Sequence, residues 1–279
     1  MKIFKKTIYI TLSVYVLFCL AVYLKPESFF YNAAEYIGNI ENVQKDGFDV
    51  KEVVYHKYSD IDAKGWLYLN TTPSNNDKVI LFLHGNSHNI EKYYHKLIPL
   101  AKTGYSVFIP EYRGFGGQGK KIRQANLTQD AINALFYLNG LGFENKNVIV
   151  YGMSLGTHMA LYTTVHAQKQ ENINALILEV PFTSLLDTVK YHTTYSGVTI
   201  LPLDLLVKDK YNNLELINQI NTRLLVMTTK SDTLIPYAQA TMLYEKAPLP
   251  KELKIYNGAS HDSLFNLSNY EYVIEWLDK

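Results

Sequence analysis

The chain has 279 residues, of which 47% are apolar and 19% charged, and this balance excludes a largely disordered protein. Its formal net charge of +1, without long runs of one sign, gives no reason to expect a nucleic-acid partner. Cys19 is the one cysteine, which excludes an intramolecular disulfide and a zinc site built on several cysteines.

The N-terminus combines a basic start with a long apolar run. Lys2, Lys5 and Lys6 precede residues 8–24, which carry no charge. A helix of that length spans roughly 25 Å, slightly less than the ~30 Å of a bilayer's hydrocarbon core. A cleaved signal peptide is the alternative, but the run is long for one and no A-x-A site follows. We predict an uncleaved single-pass anchor over residues 1–25, with the rest of the chain on the non-cytoplasmic side, in a periplasm, lumen or exterior.

The sequence after this segment changes character twice. Residues 26–47 are polar and unpatterned, so we predict a juxtamembrane linker or short helix there. Two β-rich runs follow, residues 50–58 and 65–69, and a turn-forming Ser-Asp-Ile-Asp cluster lies between them. This arrangement predicts an antiparallel hairpin.

From residue 78 onward, short apolar runs alternate with helical patterns. The predicted strands cover residues 78–83, 105–109, 147–151, 175–178, 223–228 and 252–256. The predicted helices cover residues 89–102, 127–141, 154–169 and 270–277, with a further helix after Pro236. The alternation predicts an α/β fold over residues 48–279, with a mostly parallel central sheet and helices on both faces.

One interval interrupts this alternation. Residues 181–220 separate two predicted strands by more than a simple crossover needs, and residues 191–206 within them are apolar and aromatic. Open α/β sheets bind ligands at the carboxyl ends of their strands. We therefore predict that residues 183–220 form a lid over that edge of the sheet.

A G-x-S-x-G motif, Gly152-Met-Ser-Leu-Gly156, lies directly after a predicted strand and opens a helix. In that setting the motif forms a sharp turn that exposes a nucleophilic serine, here Ser154. Side chains at the two glycine positions would collide with neighbouring backbone, and the serine is held in a strained conformation. Glycine and serine are also common in structural turns, so the motif needs support from other residues.

A serine hydroxyl needs a general base to act as a nucleophile at neutral pH. His261 follows the last predicted strand, and Asp232 follows the strand before it. Because parallel strands end at one edge of a sheet, we expect Ser154, Asp232 and His261 to meet there. Their order along the chain is the order of nucleophile, acid and base in α/β hydrolases. We predict these three residues as a catalytic triad.

Two other carboxylates lie near the predicted site. Glu179 ends the strand before the predicted lid, where some hydrolases place their acid. Asp262 adjoins the base but cannot easily turn back to orient it. We favour Asp232 as the acid over both.

Three further residues could contribute to a pocket. His158 lies one helical turn after Ser154, although a packed helix position is favoured. Glu111 and Arg113 follow a strand end and could contact substrate, although a structural ion pair is favoured. No H-E-x-x-H or comparable spacing is present, so we predict neither a metal nor a cofactor.

Several segments together resemble the Bem46-like α/β hydrolases, a group related to the ABHD12 and ABHD13 types of serine hydrolase. They are Leu83-His-Gly-Asn-Ser-His-Asn-Ile90, Glu111-Tyr-Arg-Gly-Phe-Gly116, the G-x-S-x-G motif, the Asp232 loop through Pro236, and Gly258-Ala-Ser-His-Asp262. The resemblance runs from about residue 50 to the C-terminus and extends to the anchor. Thr157 stands where the group often has a second glycine, and we expect tighter packing there rather than lost activity.

The resemblance implies an oxyanion hole made of main-chain groups. The backbone N–H of Leu155 and that of Asn86 are the two expected donors, and such a donor contributes on the order of 3 kcal/mol to catalysis. His84 and His88 flank this loop and are expected to organise it.

The predicted function is hydrolysis of carboxylic esters through an acyl-enzyme, without a cofactor. The anchor and the apolar lid favour lipid or lysophospholipid esters as substrates. A thioesterase or peptidase using the same triad is an alternative. A membrane-tethered scaffold without activity is another, although such proteins usually lack a member of the triad.

Overall fold

A single large sheet organises the chain. The computed structural model describes residues 2–44, 49–70, 77–119, 121–197, 200–264 and 267–279. In chain order the strands are β1 (Asn32–Ala33), β2 (Val50–Lys57), β3 (Asp62–Tyr68), β4 (Val79–Leu83), β5 (Ser87–His88), β6 (Ser106–Pro110), β7 (Val148–Met153), β8 (Ala175–Glu179), β9 (Leu224–Thr229) and β10 (Lys251–Tyr256). Within the described residues, eight of them form one sheet in the order β10-β9-β8-β7-β4-β6-β3-β2.

The strands of this sheet are mostly parallel. Every neighbouring pair from β10 to β6 is parallel, whereas β3 pairs antiparallel with both β2 and β6. Strands β2 and β3 therefore form the hairpin that the sequence predicted. All residues of β4, β7, β8 and β9 are buried, as expected for strands with continuous apolar sequence that are covered on both faces.

Helices cover both faces of the sheet. In chain order, the α-helices of the described residues are α1 (Lys2–Leu24), α2 (Glu27–Phe30), α3 (Ile40–Gln44), α4 (Ile90–Tyr94), α5 (Ile98–Lys102), α6 (Gln124–Gly140), α7 (Gly156–Ala167), α8 (Leu185–Tyr195), α9 (Leu203–Leu206), α10 (Asn213–Leu216), α11 (Tyr237–Lys246) and α12 (Leu267–Leu277). Side chains of α6, α7 and α11 form one core layer, and those of α4, α5 and α12 form the other. The predicted α/β architecture is confirmed.

The prediction of one continuous helix over residues 89–102 is wrong, because the structure has two short helices there, α4 and α5. Pro99 lies in the first turn of α5. A proline there cannot donate a backbone hydrogen bond to the preceding turn, and its ring would clash with the carbonyl of His95 in a continuous helix. The chain therefore ends one helix and begins another, with the proline in the first turn where it is tolerated.

The predicted linker, residues 26–47, is bound to the sheet domain in its described part. Its strand β1 pairs in parallel with β5. Asn89 Nδ2 donates a hydrogen bond to the backbone carbonyl of Tyr36 at 2.8 Å, and Arg123 forms an ion pair with Glu27 at 3.3 Å. The segment therefore contains the short helices α2 and α3 and is folded onto the domain.

Helix α1 stands apart from this core. Its residues Ile3–Leu24 are long and apolar enough to cross a membrane, and most of their side chains are exposed. An α-helix of 22 residues is about 33 Å long, which matches the ~30 Å thickness of a hydrocarbon core.

Two truncations distinguish α1 from the segment that follows it. Deleting residues 1–25 should leave the unfolding temperature nearly unchanged, because α1 adds little to either core layer. Deleting residues 1–44 should lower it by roughly 5–10 °C, because the β1–β5 pairing and the contacts of α3 are lost. Differential scanning calorimetry of both forms checks this, and equal unfolding temperatures would contradict it.

Candidate active site

Three side chains meet beyond the carboxyl ends of β7, β9 and β10. His261 Nε2 lies 3.0 Å from Ser154 Oγ, and His261 Nδ1 lies 2.7 Å from Asp232 Oδ2. Both distances lie within the hydrogen-bond range. The residues predicted as a triad are therefore adjacent and in the order nucleophile, base and acid. Their catalytic roles stay predictions.

The backbone holds Ser154 in an uncommon conformation. Its φ angle is +52°, in the left-handed region that side chains other than that of glycine seldom occupy. A Cβ at Gly156 would overlap the carbonyl oxygen of Leu83, and one at Gly152 would lie 2.6 Å from Ala160 Cβ. Glycine is thus required on both sides of the serine, and the turn can direct the hydroxyl out of the core.

Thr157 supports this turn in a way that the sequence did not reveal. Its side chain is fully buried, and its hydroxyl donates a hydrogen bond to the backbone carbonyl of Ser154 at 2.6 Å. The residue that departs from the Bem46-like pattern therefore contacts the backbone of Ser154, the predicted nucleophile.

The Asp232 carboxylate is fixed at both oxygens. Oδ1 accepts hydrogen bonds from the backbone N–H groups of Leu234 and Ile235, each at 2.8 Å, and Oδ2 faces His261. The backbone of the loop after Asp232 therefore holds Oδ1 of that carboxylate and leaves Oδ2 for the His261 imidazole. Such a carboxylate can orient a histidine ring and stabilise the imidazolium that forms during proton transfer.

The competing carboxylates have other partners. Glu179 is fully buried, where it accepts a hydrogen bond from the Tyr151 hydroxyl at 2.8 Å and pairs with Lys96 at 3.4 Å. Asp262 forms an ion pair with Lys92 at 3.3 Å. The geometry therefore favours Asp232 as the acid.

His158 is packed inside the domain and does not line the cavity next to Ser154. Its Nδ1 lies 2.8 Å from Asn213 Oδ1, and its Nε2 lies 2.9 Å from Gln124 Nε2. Burial lowers the pKa of His158 to about 4, so the ring is neutral at pH 7.

The buried charges near the strand ends also support structure. Arg113 pairs with Asp130 at 2.7 Å rather than with Glu111. Glu111 instead lies 3.0 Å from Nε2 of His84, one of the two histidines expected to organise the oxyanion loop. Burial raises the pKa of Glu111, and the adjacent His84 opposes that rise. Neither Arg113 nor Glu111 lines the cavity at Ser154.

A cavity of about 300 Å³ opens next to Ser154. Its walls include three parts of the chain: the loops that follow the strands, helix α8, and Phe30, Tyr31 and Asn32 from the segment before β2. Asn86 Nδ2 donates a hydrogen bond to the Phe30 carbonyl at 2.7 Å, which ties the third wall to the predicted oxyanion loop. Nothing in the polar sequence of that segment had indicated a place in the site.

The predicted oxyanion-hole residues Asn86 and Leu155 both border the cavity. Within the part of the chain that the structure describes, neither backbone N–H donates a hydrogen bond to another protein group. Both donors are therefore free for an oxygen bound beside Ser154. The described residues include no group of three His, Cys, Asp or Glu side chains that could hold a metal ion.

The chain has the α/β-hydrolase fold, and residues 78–197 match the family model of the alpha/beta hydrolase fold. It is similar to protein bem46 of Schizosaccharomyces pombe, with 27% identity over 232 residues, 80% of this chain and 75% of that protein. The lysophosphatidylserine lipase ABHD12 of Rattus norvegicus is 27% identical over 205 residues, 68% of this chain and 50% of that protein. The resemblance to Bem46-like hydrolases is thereby confirmed.

A solved structure supports the same fold. The Pyrococcus furiosus esterase Pf2001 superimposes with a TM-score of 0.68 and 21% identity, covering 89% of this chain and 97% of its own.

Paired substitutions test which carboxylate orients the histidine. Asp232→Asn should lower kcat for an aryl ester by about 10⁴-fold, because an amide favours the wrong imidazole tautomer. Glu179→Gln is the matched control, since it removes a buried carboxylate that contacts Tyr151 and Lys96, whereas the His261 ring contacts Asp232 and Ser154. Its kcat should stay close to that of the unaltered protein while its thermal stability falls. Steady-state kinetics and thermal unfolding of both variants would show the reverse if Glu179 were the acid.

His158 should make stability depend on pH. Its pKa is lower in the folded chain, about 4, than its ordinary value of 6.5, so the unfolded chain takes up a proton first as the pH falls. The neutral His158 ring makes its full contribution to the free energy of unfolding above pH 6.5. As the pH falls toward 4 this contribution is lost progressively, by up to ~3 kcal/mol. Urea unfolding across this range should show a shallower pH dependence for His158→Gln. Identical slopes would contradict the assignment.

Proposed function

We propose that the protein is a serine hydrolase that cleaves carboxylic esters. The observation that supports this most directly is the continuous hydrogen-bonded series Ser154–His261–Asp232 beside a cavity. Such a series activates a hydroxyl that is otherwise a poor nucleophile at neutral pH. The aligned contacts also argue against the alternative of an inactive scaffold.

The proposed reaction is acyl transfer in two stages. Ser154 Oγ attacks the ester carbonyl while His261 Nε2 takes its proton, and Asp232 stabilises the resulting imidazolium. The free N–H groups of Asn86 and Leu155 bind the oxyanion, and the alcohol leaves with the proton from His261. A water molecule then attacks the acyl-enzyme with the same base, which releases the acid and restores the serine.

We assign lipid or lysophospholipid esters as the substrate class. Apolar side chains, among them Phe30, Phe182, Leu185 and Ile235, contribute much of the cavity wall. The relative ABHD12 is a lysophosphatidylserine lipase, which makes a monoacyl phospholipid the first substrate to test. A thioester or peptide on the same triad is the alternative to be compared in the same assay.

We propose a membrane location for the protein. Helix α1 acts as an uncleaved single-pass anchor, because it is long and apolar enough to span a bilayer and the lysines lie at its N-terminal end. The basic flank favours a cytoplasmic N-terminus and a hydrolase domain on the other side. We further propose that the predicted lid, residues 183–220, covers the cavity through α8, whose Leu185, Thr188 and His192 line it.

The nucleophile is tested by a pair of serine substitutions. Ser154→Ala should abolish both ester hydrolysis and labelling by a fluorophosphonate probe, because that probe reacts with an activated serine. Ser87→Ala is the matched control, since Ser87 lines the same cavity and should leave labelling intact. Gel fluorescence and turnover of an aryl ester check both variants. Retained turnover by purified Ser154→Ala would refute the assignment.

A substrate series tests the substrate class. Monoacyl phospholipid esters should be hydrolysed with a higher kcat/KM than short esters of the same alcohol, because the apolar wall gains contact with a longer acyl chain. The series should include a matched acyl thioester and a peptide substrate. A preference for either of these would replace the ester assignment while leaving Ser154 as nucleophile.

A further inference from the structure

Large apolar side chains project into solvent on the connection between β8 and β9. Tyr195 at the end of α8 is 85% exposed, Ile200 is 73% exposed, and Leu205 on α9 is 61% exposed. We call these three residues the apolar tip. Helix α9 packs against both α8 and α1, so the tip lies beside the proposed anchor. Apolar side chains exposed together indicate a surface that contacts another apolar phase.

Two contacts fix how this connection lies along α1. The Tyr15 hydroxyl donates a hydrogen bond to the backbone carbonyl of Ile200 at 2.7 Å. The ammonium group of Lys208 lies 3.5 Å from the centroid of the Tyr23 ring. Tyr15 and Tyr23 are eight residues apart on the helix, which is about 12 Å along its axis. The connection therefore runs alongside the last two turns of α1, with Ile200 at the end nearer to the N-terminus.

The same contacts define a depth in a bilayer. Tyrosine and lysine side chains prefer the boundary between lipid and water, so Tyr23 and Lys208 mark that boundary at the C-terminal end of α1. Ile200 is then about 12 Å further in, within the hydrocarbon of the same leaflet. Lys190 and Asp204, two charged residues beside the tip, form an ion pair at 3.1 Å. Pairing lowers the cost of placing them near lipid.

From this placement, which rests on the proposed anchor role of α1, we propose that the apolar tip inserts into the membrane leaflet as a second contact. The hydrolase domain is then held at two points, α1 and the tip, rather than swinging on a single helix. Helix α8 carries Tyr195 at its end and also lines the cavity, and Phe30, another lining residue, follows α1 closely in the chain. In this arrangement the cavity is lined by two elements that adjoin the leaflet, and a lipid ester reaches Ser154 without crossing water.

Fluorescence quenching in vesicles tests the insertion directly. The full chain is reconstituted in phosphatidylcholine vesicles that contain nitroxide-labelled phosphatidylcholine. A polarity-sensitive fluorophore is attached at one cysteine per variant: the native Cys19 in α1, Ile200→Cys, or Leu249→Cys, the last two in a Cys19→Ser background. Leu249 is the matched control, because it is 81% exposed on the connection between α11 and β10.

The probe at Ile200→Cys should lose fluorescence to an extent similar to the probe at Cys19, and several-fold more than the probe at Leu249→Cys. Quenching at Cys19 with only control-level quenching at Ile200→Cys would overturn the inserted tip and leave the anchor in place. Control-level quenching at Cys19 as well would overturn both.

A kinetic comparison separates the tip from the proposed chemistry. The double variant Ile200→Ser with Leu205→Ser should lower kcat/KM for a monoacyl phospholipid in vesicles by about tenfold, because two apolar side chains no longer gain by entering lipid. Its turnover of a water-soluble short-chain ester should not change, since neither residue lines the cavity. An equal loss on both esters would overturn the proposed role. Should the unaltered protein hydrolyse neither ester, the proposed function fails, and the quenching result still decides the insertion.

Discussion

The site depends on a close approach between the start of α7 and the end of β4 that leaves no room for a side chain. Gly156 abuts the carbonyl of Leu83, and this contact presses the turn after β7 into the conformation that Ser154 adopts. The backbone N–H of Ser154 is held from the other side by the carbonyl of Glu179 at 2.9 Å. The two strands next to β7 therefore clamp the turn, and the serine is positioned by main-chain geometry rather than by its own side chain.

Buried polar pairs keep the surrounding strand ends in place. Glu179 contacts Tyr151 and Lys96, and the Tyr270 hydroxyl donates a hydrogen bond to the Lys96 carbonyl. His84 stacks on Tyr112, with ring centroids 4.1 Å apart. Satisfied polar groups in a medium of low dielectric constant have strong geometric preferences. These pairs therefore rigidify the loops that carry the predicted oxyanion donors without taking part in the proposed chemistry.

Much of this arrangement could be predicted from sequence, because it follows from regular structure. Apolar runs alternating with helical patterns define parallel strands, and parallel strands bring their carboxyl ends to one edge. That rule alone places Ser154, Asp232 and His261 together, although they are far apart in the chain. The helix predicted over residues 89–102 is too long because its helical pattern continues across Pro99, which lies in the first turn of a new helix.

The segment before β2 could not be predicted in the same way. Its strand β1 has two residues, too few to show a period, and its position is set by backbone pairing with β5 and by the side-chain amides of Asn86 and Asn89. Amide-to-carbonyl bonds of this kind leave no pattern in the residues that accept them. The position of Tyr31 could not be predicted either, because its hydroxyl lies 2.7 Å from that of Tyr211, a residue 180 positions away in the chain.

The hydrogen bond from Asn86 to the Phe30 carbonyl limits where the domain can be joined to another N-terminal segment. A chimera that joined an unrelated N-terminal segment at residue 48 would replace Phe30, Tyr31 and Asn32 in the cavity wall. The loop that contains Asn86 would then lose its hydrogen bond to the Phe30 carbonyl. A unit that keeps the cavity wall intact begins at Pro26, just after α1, and any exchange of the N-terminal helix has to preserve that junction.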